Sequence, residues 1–345
     1  MCYIPVIGTK ALHTAICCLM MTHQTPAAAL TEAAMAAGFA PSVHNTQPWL
    51  WRIRPDSIDL CAARERQLQV ADPEGRLLII SCGTALHHAR VALAAEGWQA
   101  RVERMPDPTD RDLLARISVG EHGEAGAEAT RTFQALGLRH TDRRPVSAIP
   151  PEEKAIDAVR RAGTFDGVNV HRLTEDQVVE LGAAAARADQ IEVMDPEQRA
   201  EIAYWVGGDR PDGTGVPMEV IPDAVTPSVV PGRDFVREGH LHTGEGSDRA
   251  AVYLMLFGDG DEPADWLRAG EALSAAWIEA TEQGLSVMPF SSVVEVPSTR
   301  ETMRSMISFL GYPYIVLRMG NANADHEFPP LTPRLPAEQT IEPAE

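Results

Sequence analysis

Four short segments of this chain bring together side chains able to hold a ligand. The first, 40–49, reads Ala-Pro-Ser-Val-His-Asn-Thr-Gln-Pro-Trp. Pro41 and Pro48 fix its backbone, while Ser42, Asn45 and Gln47 place donors and acceptors in a short space. The second, Arg139-His140-Thr141-Asp142-Arg143-Arg144, carries three guanidiniums in six residues. A guanidinium fork suits a phosphate because it can bond two oxygens at once. The third runs Gly284-Leu285-Ser286-Val287-Met288-Pro289-Phe290-Ser291-Ser292, and the fourth is Thr332-Pro333-Arg334-Leu335-Pro336. Taken singly, each equally describes a connecting turn, a solvated basic stretch, or a buried strand and its turn.

Other signals are weaker. His240-Leu241-His242 sets two imidazoles on one face of an extended segment, with no carboxylate or cysteine at ligand spacing. Gly258-Asp259-Gly260-Asp261-Glu262 lacks the register of a calcium loop and reads as a turn with helix-capping acids. No GxGxxG or P-loop is present, and no nucleophile sits in a triad-like pattern. His87 and His88 are neighbours on an expected helix, which places one ring inside and one outside.

The elements that must position these segments alternate irregularly. Alanine-rich 26–37 predicts a helix ended by Gly38, with Pro41 beyond it. Strands are expected at 49–53 and 57–61 across the Pro55–Asp56 turn. The apolar run 77–80 precedes a helix capped by Ser81 and stopped at Gly97. Strands at 98–105 and 113–119 and a helix at 124–136 follow. A second cycle begins at Gly137, with helices at 150–161, 175–193 and 196–205 and a strand at 168–173. From 207 to 248 the chain is rich in Gly, Pro and Asp without a sustained apolar period. An irregular stretch of about 40 residues is typically a lid or binding loop. Order resumes with strands at 250–257, 285–289 and 314–319 and helices at 263–283 and 298–309. The proline-bearing tail after Pro329 is expected to wrap the surface. Mixed rather than alternating elements predict an α+β sheet with helices packed on it.

A chain of 345 residues, 44% hydrophobic, can bury a large core. Its formal net charge of −19 repels nucleic acid and anionic lipid, so neither is expected as a partner, and an anionic ligand needs a local cationic cluster. Five cysteines (Cys2, Cys17, Cys18, Cys61, Cys82) show no CxxC spacing, which suits a reducing cytoplasm. Residues 11–21 are too short for a membrane span. The first 24 residues are expected to be an extension, with Met20 or Met21 as an alternative start. Lysine is confined to Lys10 and Lys154.

The 40–49 run resembles the APSxxNxQPW loop of FMN-dependent nitroreductases at every fixed position. Arg139, Thr141 and Arg143 match that superfamily's Arg-x-Ser/Thr-x-Arg/Lys opening, and 284–292 and 332–336 resemble its late strand and C-terminal cation. Within the superfamily the chain is most similar to the actinobacterial Acg family. The resemblance implies a nitroreductase-like fold and one FMN. Pro41, Ser42, Val43 and Asn45 would line the flavin, Asn45 as the side-chain hydrogen-bond partner. Arg139, His140, Thr141 and Arg143 would grip the phosphate and ribityl chain. Pro289 and Ser291 would lie beside N5, and Arg334 would return to the phosphate.

The flavin loop stands in the first half and the phosphate motif mid-chain, where a new copy would start. Each half lacks what the other keeps, so the expected architecture is internally duplicated, a single-chain pseudo-dimer. Its halves would be 25–137 and 138–345, with a lid at about 207–248 whose Arg210, Arg233 and Arg237 are either solvated or turned to the ligand. The implied reaction takes electrons from NAD(P)H to a nitroaromatic or quinone, and a monomer suffices for the site. The alternative is an FMN-sequestering storage protein closed by the lid. One departure is the missing asparagine and lysine at the flavin's pyrimidine edge, a lack that Arg143 could make good.

Overall fold

The computed structural model describes residues 25–342 except 208, 209, 211, 212, 225–227, 236, 245 and 325; the expected extension 1–24 lies outside them. Chain chemistry starts and stops the helices. Helix α1, Pro26–Ala37, has proline in its first turn and turns out at Gly38. Strands β1, Trp49–Ile53, and β2, Ser57–Ala62, form a hairpin. Helix α2 is Arg76–Ala95, followed by β3, Trp98–Arg104, β4, Leu113–His122, and α3, Ala127–Leu138.

The second cycle begins with α4, Glu153–Gly163, and β5, Val168–Arg172. Helix α5, Glu175–Met194, opens on a capping box of Thr174 and Gln177. Helix α6, Pro196–Trp205, is capped by Asp195, whose carboxylate accepts the amides of Glu197 and Gln198. After the insertion come β6, Val252–Gly258, α7, Pro263–Glu282, and β7, Leu285–Phe290. Short α8, Ser292–Glu295, α9, Pro297–Met306, β8, Tyr312–Asn321, and β9, Ile341–Glu342, complete the chain.

Two sheets result, in order β3-β4-β2-β1-β9 and β5-β6-β8-β7. Read from its far edge, the second is β7-β8-β6-β5, the same order as β3-β4-β2-β1. Every pairing within these two sets of four is antiparallel. In each set one long helix, α2 or α7, joins the second strand to the third. These two helices pack on one another at Gly83 and Gly270. Fourteen residues beyond each of those glycines stands another, Gly97 and Gly284, turning into the next strand at φ 86° and 71°.

Three expectations are corrected. The apolar run at 77–80 belongs to α2, and Ser81 lies inside that helix rather than capping it, donating its hydroxyl to Leu77 O at 2.7 Å. Apolarity cannot separate a short buried strand from a buried helix turn. Helix α2 is long and apolar enough to cross a membrane, yet it is largely buried against the β3-β4-β2-β1 sheet, α1, α3 and α7. His87 and His88 do not split inside and outside; His88 is buried, His87 half-buried, and both rings approach Ser274 Oγ at 3.0 Å. The tail does not simply wrap the surface. Its β9 joins the edge of the β3-β4-β2-β1 sheet parallel to β1, with Trp51 N donating to Thr340 O at 2.8 Å.

Candidate functional site

A cavity of about 720 Å³ opens between α2, α7 and the 207–248 insertion, and all eleven sequence-predicted site residues line it: Pro41, Ser42, Val43, Asn45, Arg139, His140, Thr141, Arg143, Pro289, Ser291 and Arg334. The volume falls in the ~300–1,000 Å³ range of cofactor pockets.

The 40–49 loop is held from below by α2. Val43 N donates to Ser81 Oγ at 3.1 Å, and Thr84 Oγ1 donates to Pro41 O at 2.6 Å. His44, Asn45 and Gln47 all take left-handed φ values, 43°, 55° and 50°. Non-glycine residues there are costly, so the surrounding contacts must impose the shape. They come from two distant segments. Both amide hydrogens of Asn45 go to main-chain carbonyls, Gly215 O and Pro333 O, each at 3.0 Å, and its Oδ1 accepts from Arg334 at 3.2 Å. Gln47 donates to Gly213 O at 3.0 Å and accepts from Leu335 N at 2.9 Å. Asn45, which lines the cavity, also clamps the insertion and the tail to the loop and bonds Arg334.

The second motif divides between the cavity and the core. Arg139, His140, Thr141 and Arg143 line the cavity. Asp142 and Arg144 are buried and pair with each other at 2.9 Å. Asp142 N donates to Val287 O at 3.0 Å, docking the motif on β7. Arg318 of β8, fully buried and missed in the sequence, donates to Asp142 O and Arg144 O at 2.8 Å each and to the Asp248 carboxylate at 2.9 Å. Nothing in its own strand pattern marks it, because its partners come from remote segments.

The lining cations form two poles. Arg139 and Arg334 both donate to Phe39 O, at 3.2 and 3.3 Å. Arg139 lies over the Trp277 ring, 4.6 Å from its centroid. Arg143 stands apart, donating to Val220 O at 3.2 Å and lying over Phe235, both in the insertion. Among the described residues none of the three has a carboxylate partner. Burial, aided for Arg139 by repulsion from Arg334, pulls Arg139 down to about 9; burial pulls Arg143 and Arg334 down to about 10. The Nε atoms of Arg139 and Arg334 are buried without a partner. Desolvated, unneutralised cations gain from an anion, so this donor set fits a phosphate ester.

The rest of the wall is hydrogen-bonded within itself. His140 Nδ1–H donates to Leu138 O at 3.0 Å, and its ring meets Phe328 edge-on. Ser291 O accepts the amides of Val294 and Glu295 at 2.9 and 3.0 Å, starting α8 beside the cavity. The insertion is anchored rather than open. Its Val216, Val220 and Ile221 share an apolar cluster with Leu68, Ile202 and Trp205. Arg233 is not solvated. It forms a buried bidentate pair with Glu192 at 2.6 and 3.0 Å, bonds Glu295, and donates to His44 Nε2 at 2.9 Å. Burial, then Arg233, pulls His44 down to about 3, so that its ring stays neutral. Arg210 lies over Tyr204 and Trp205, and exposed Arg237 donates to Gly207 O. His242 sits 3.0 Å from Asp223, and Lys154 is exposed beside Glu152.

No protein-family model matches the chain. Among solved structures it is similar to a nitroreductase with bound FMN from Desulfitobacterium hafniense, 13% identical with a TM-score of 0.39, covering 62% of this chain and 98% of that one. Curated relatives come from Mycobacterium tuberculosis. One, provisionally named NAD(P)H nitroreductase Rv3131, is 37% identical over 328 residues, 94% of each chain. Another, provisionally named NAD(P)H nitroreductase acg, is 32% identical over 315 residues, 90% of this chain and 95% of the relative. Likeness at that identity along nearly the whole length places this chain in the NAD(P)H nitroreductase family.

Proposed function

We propose that this chain binds one FMN where its halves meet and uses it as an NAD(P)H-dependent oxidoreductase toward nitroaromatic or quinone acceptors. One observation carries the reading. Arg139 from mid-chain and Arg334 from the tail converge on a carbonyl of the first-half loop, buried and without a carboxylate partner among the described residues. Bound FMN supplies hydride acceptance and onward electron transfer. Arg139 and Arg334 hold the phosphate, and Asn45 aims Arg334. Arg143, at the other pole, offers the positive charge that favours an anionic reduced ring. Pro41, Ser42 and Val43 form one wall of the cavity, and Pro289 and Ser291 would lie along the edge of the flavin ring. The insertion, pinned through Arg233, keeps water from the cavity.

A fused dimer with a single site is supported by the repeated sheet order and by what fills the corresponding place. Trp277 and Arg90 each follow their helix's crossing glycine by seven residues. Arg90 and Arg104 bond Glu271 at 2.6 and 2.7 Å, and both guanidiniums face Phe165. Arg104 and Arg268 flank Asp166 at 3.4 Å each. Ion pairs and an aromatic ring occupy that place, with no loop like 40–49 to complete a second site; a monomer is then sufficient for one.

Anaerobic addition of NADPH or NADH to the FMN-loaded protein tests the activity. Bleaching of the flavin band within seconds to minutes, followed by recovery on adding a nitroaromatic or quinone, is the expected result. A band that stays oxidised overturns the reductase reading in favour of flavin storage. Protein that takes up no FMN at all overturns both.

A further inference from the structure

A buried arginine is ordinarily held by a carboxylate, which then competes with any arriving anion. Arg139 is held differently. It is 5% exposed, its Nε lacks a partner, and its hydrogen bond to Phe39 O is shared with a second cation, Arg334. What supports its flat face is Trp277 of α7, itself 2% exposed and part of the cavity wall, with the guanidinium carbon 4.6 Å from the ring centroid. Aromatic faces attract guanidinium by their quadrupole, most strongly where water is excluded, and do so without cancelling its charge.

We infer that Trp277 is the positioning residue of the anion pole, fixing Arg139 in the cavity wall while leaving its charge free for a phosphate monoester dianion. The inference rests on the FMN reading above. The corresponding place shows the contrast: Arg90, at the register of Trp277, is neutralised by Glu271, and Arg104 shares that carboxylate. The two places differ in whether an arginine meets an aromatic face alone or a carboxylate as well, and only the first leaves a cation for a ligand.

The test compares the affinities of the full chain for FMN and for riboflavin, which lacks the phosphate. The ratio isolates the phosphate end, whereas general damage to the cavity weakens both ligands together. Wild type is expected to prefer FMN. Trp277→Phe, which keeps a ring under Arg139, should hold that preference within about threefold. Trp277→Met, apolar without a quadrupole, should lower it about tenfold, with riboflavin affinity little changed. In an Arg139→Met background neither Trp277 variant should alter the ratio. Trp277→Leu serves the same comparison if the methionine variant does not fold. An FMN preference equal in the aromatic and aliphatic variants overturns the positioning role. A wild type with no preference for FMN over riboflavin overturns the phosphate reading itself.

Discussion

Gly83 and Gly270 meet where α2 crosses α7, and each fills the space the other's side chain would need. A Cβ on Gly83 would fall 2.1 Å from Leu267 O and 2.8 Å from Gly270 Cα; one on Gly270 would fall 2.0 Å from Ile80 O and 2.7 Å from Gly83 Cα. The backbones of the two helices therefore approach too closely at this crossing for a side chain on either residue. The cavity lies beside this crossing, and its wall includes Ile80 and Ser81 from α2 and Leu273 and Trp277 from α7.

Gly83→Ala and Gly270→Ala should therefore each destabilise the fold by about 2–3 kcal/mol, since backbone rather than a flexible side chain must give way. Urea titration followed by tryptophan fluorescence measures it. Substitution of Gly123, which has open space around it, serves as the control. Equal stability of all three variants would contradict the close crossing.

Arg139→Ala and Arg334→Ala should each weaken FMN binding ten- to a hundredfold, because a charge-assisted hydrogen bond contributes roughly 1.5–3 kcal/mol. Equilibrium dialysis reads the change. Unaltered flavin occupancy in both variants would remove the phosphate assignment.

Arg233→Met leaves Glu192 and Glu295 buried together without their cation. Breaking a buried pair in this way costs about 3–5 kcal/mol. Limited proteolysis should then cut within 207–248 at least tenfold faster than in wild type, while α2 and α7 remain protected. An unchanged cleavage rate would mean that the insertion is held by its apolar cluster alone.

Acid should destabilise the fold between pH 6.5 and about 3. Burial lowers His44 and His87 from 6.5 to about 3 and His88 well below 6.5. In that window the unfolded chain binds protons that the folded chain refuses, so stability falls as pH falls. Asp72 opposes this between 3.8 and about 6, since burial raises its carboxyl, and three imidazoles outweigh it. Thermal melts across pH 4 to 7 should show the slope, and His87→Asn should flatten it. A melt temperature that rises on acidification would refute the balance.

The four cavity-lining segments were legible because each is local. Proline and polar residues at fixed spacing shape a loop of ten residues, and 139–144 gathers three guanidiniums within six residues. Helix ends were legible for the same reason: Thr174, Asp195 and Pro263 act within one turn. The start of α2 was not, because an apolar run that is buried on every side carries no period to read.

Pairings between remote segments were beyond such reading. Local order of residue types determined the repeat of helices and strands, the cationic motifs and the irregular insertion. Tertiary structure alone decided that Asn45 binds Gly215 and Pro333, that Arg318 braces the mid-chain motif, and that β9 returns to β1. It also decided that Arg233 is buried between two glutamates rather than solvated. The physical reason is that a side chain's type states what it can bond, whereas burial and the partner it meets follow from where the backbone brings distant segments together.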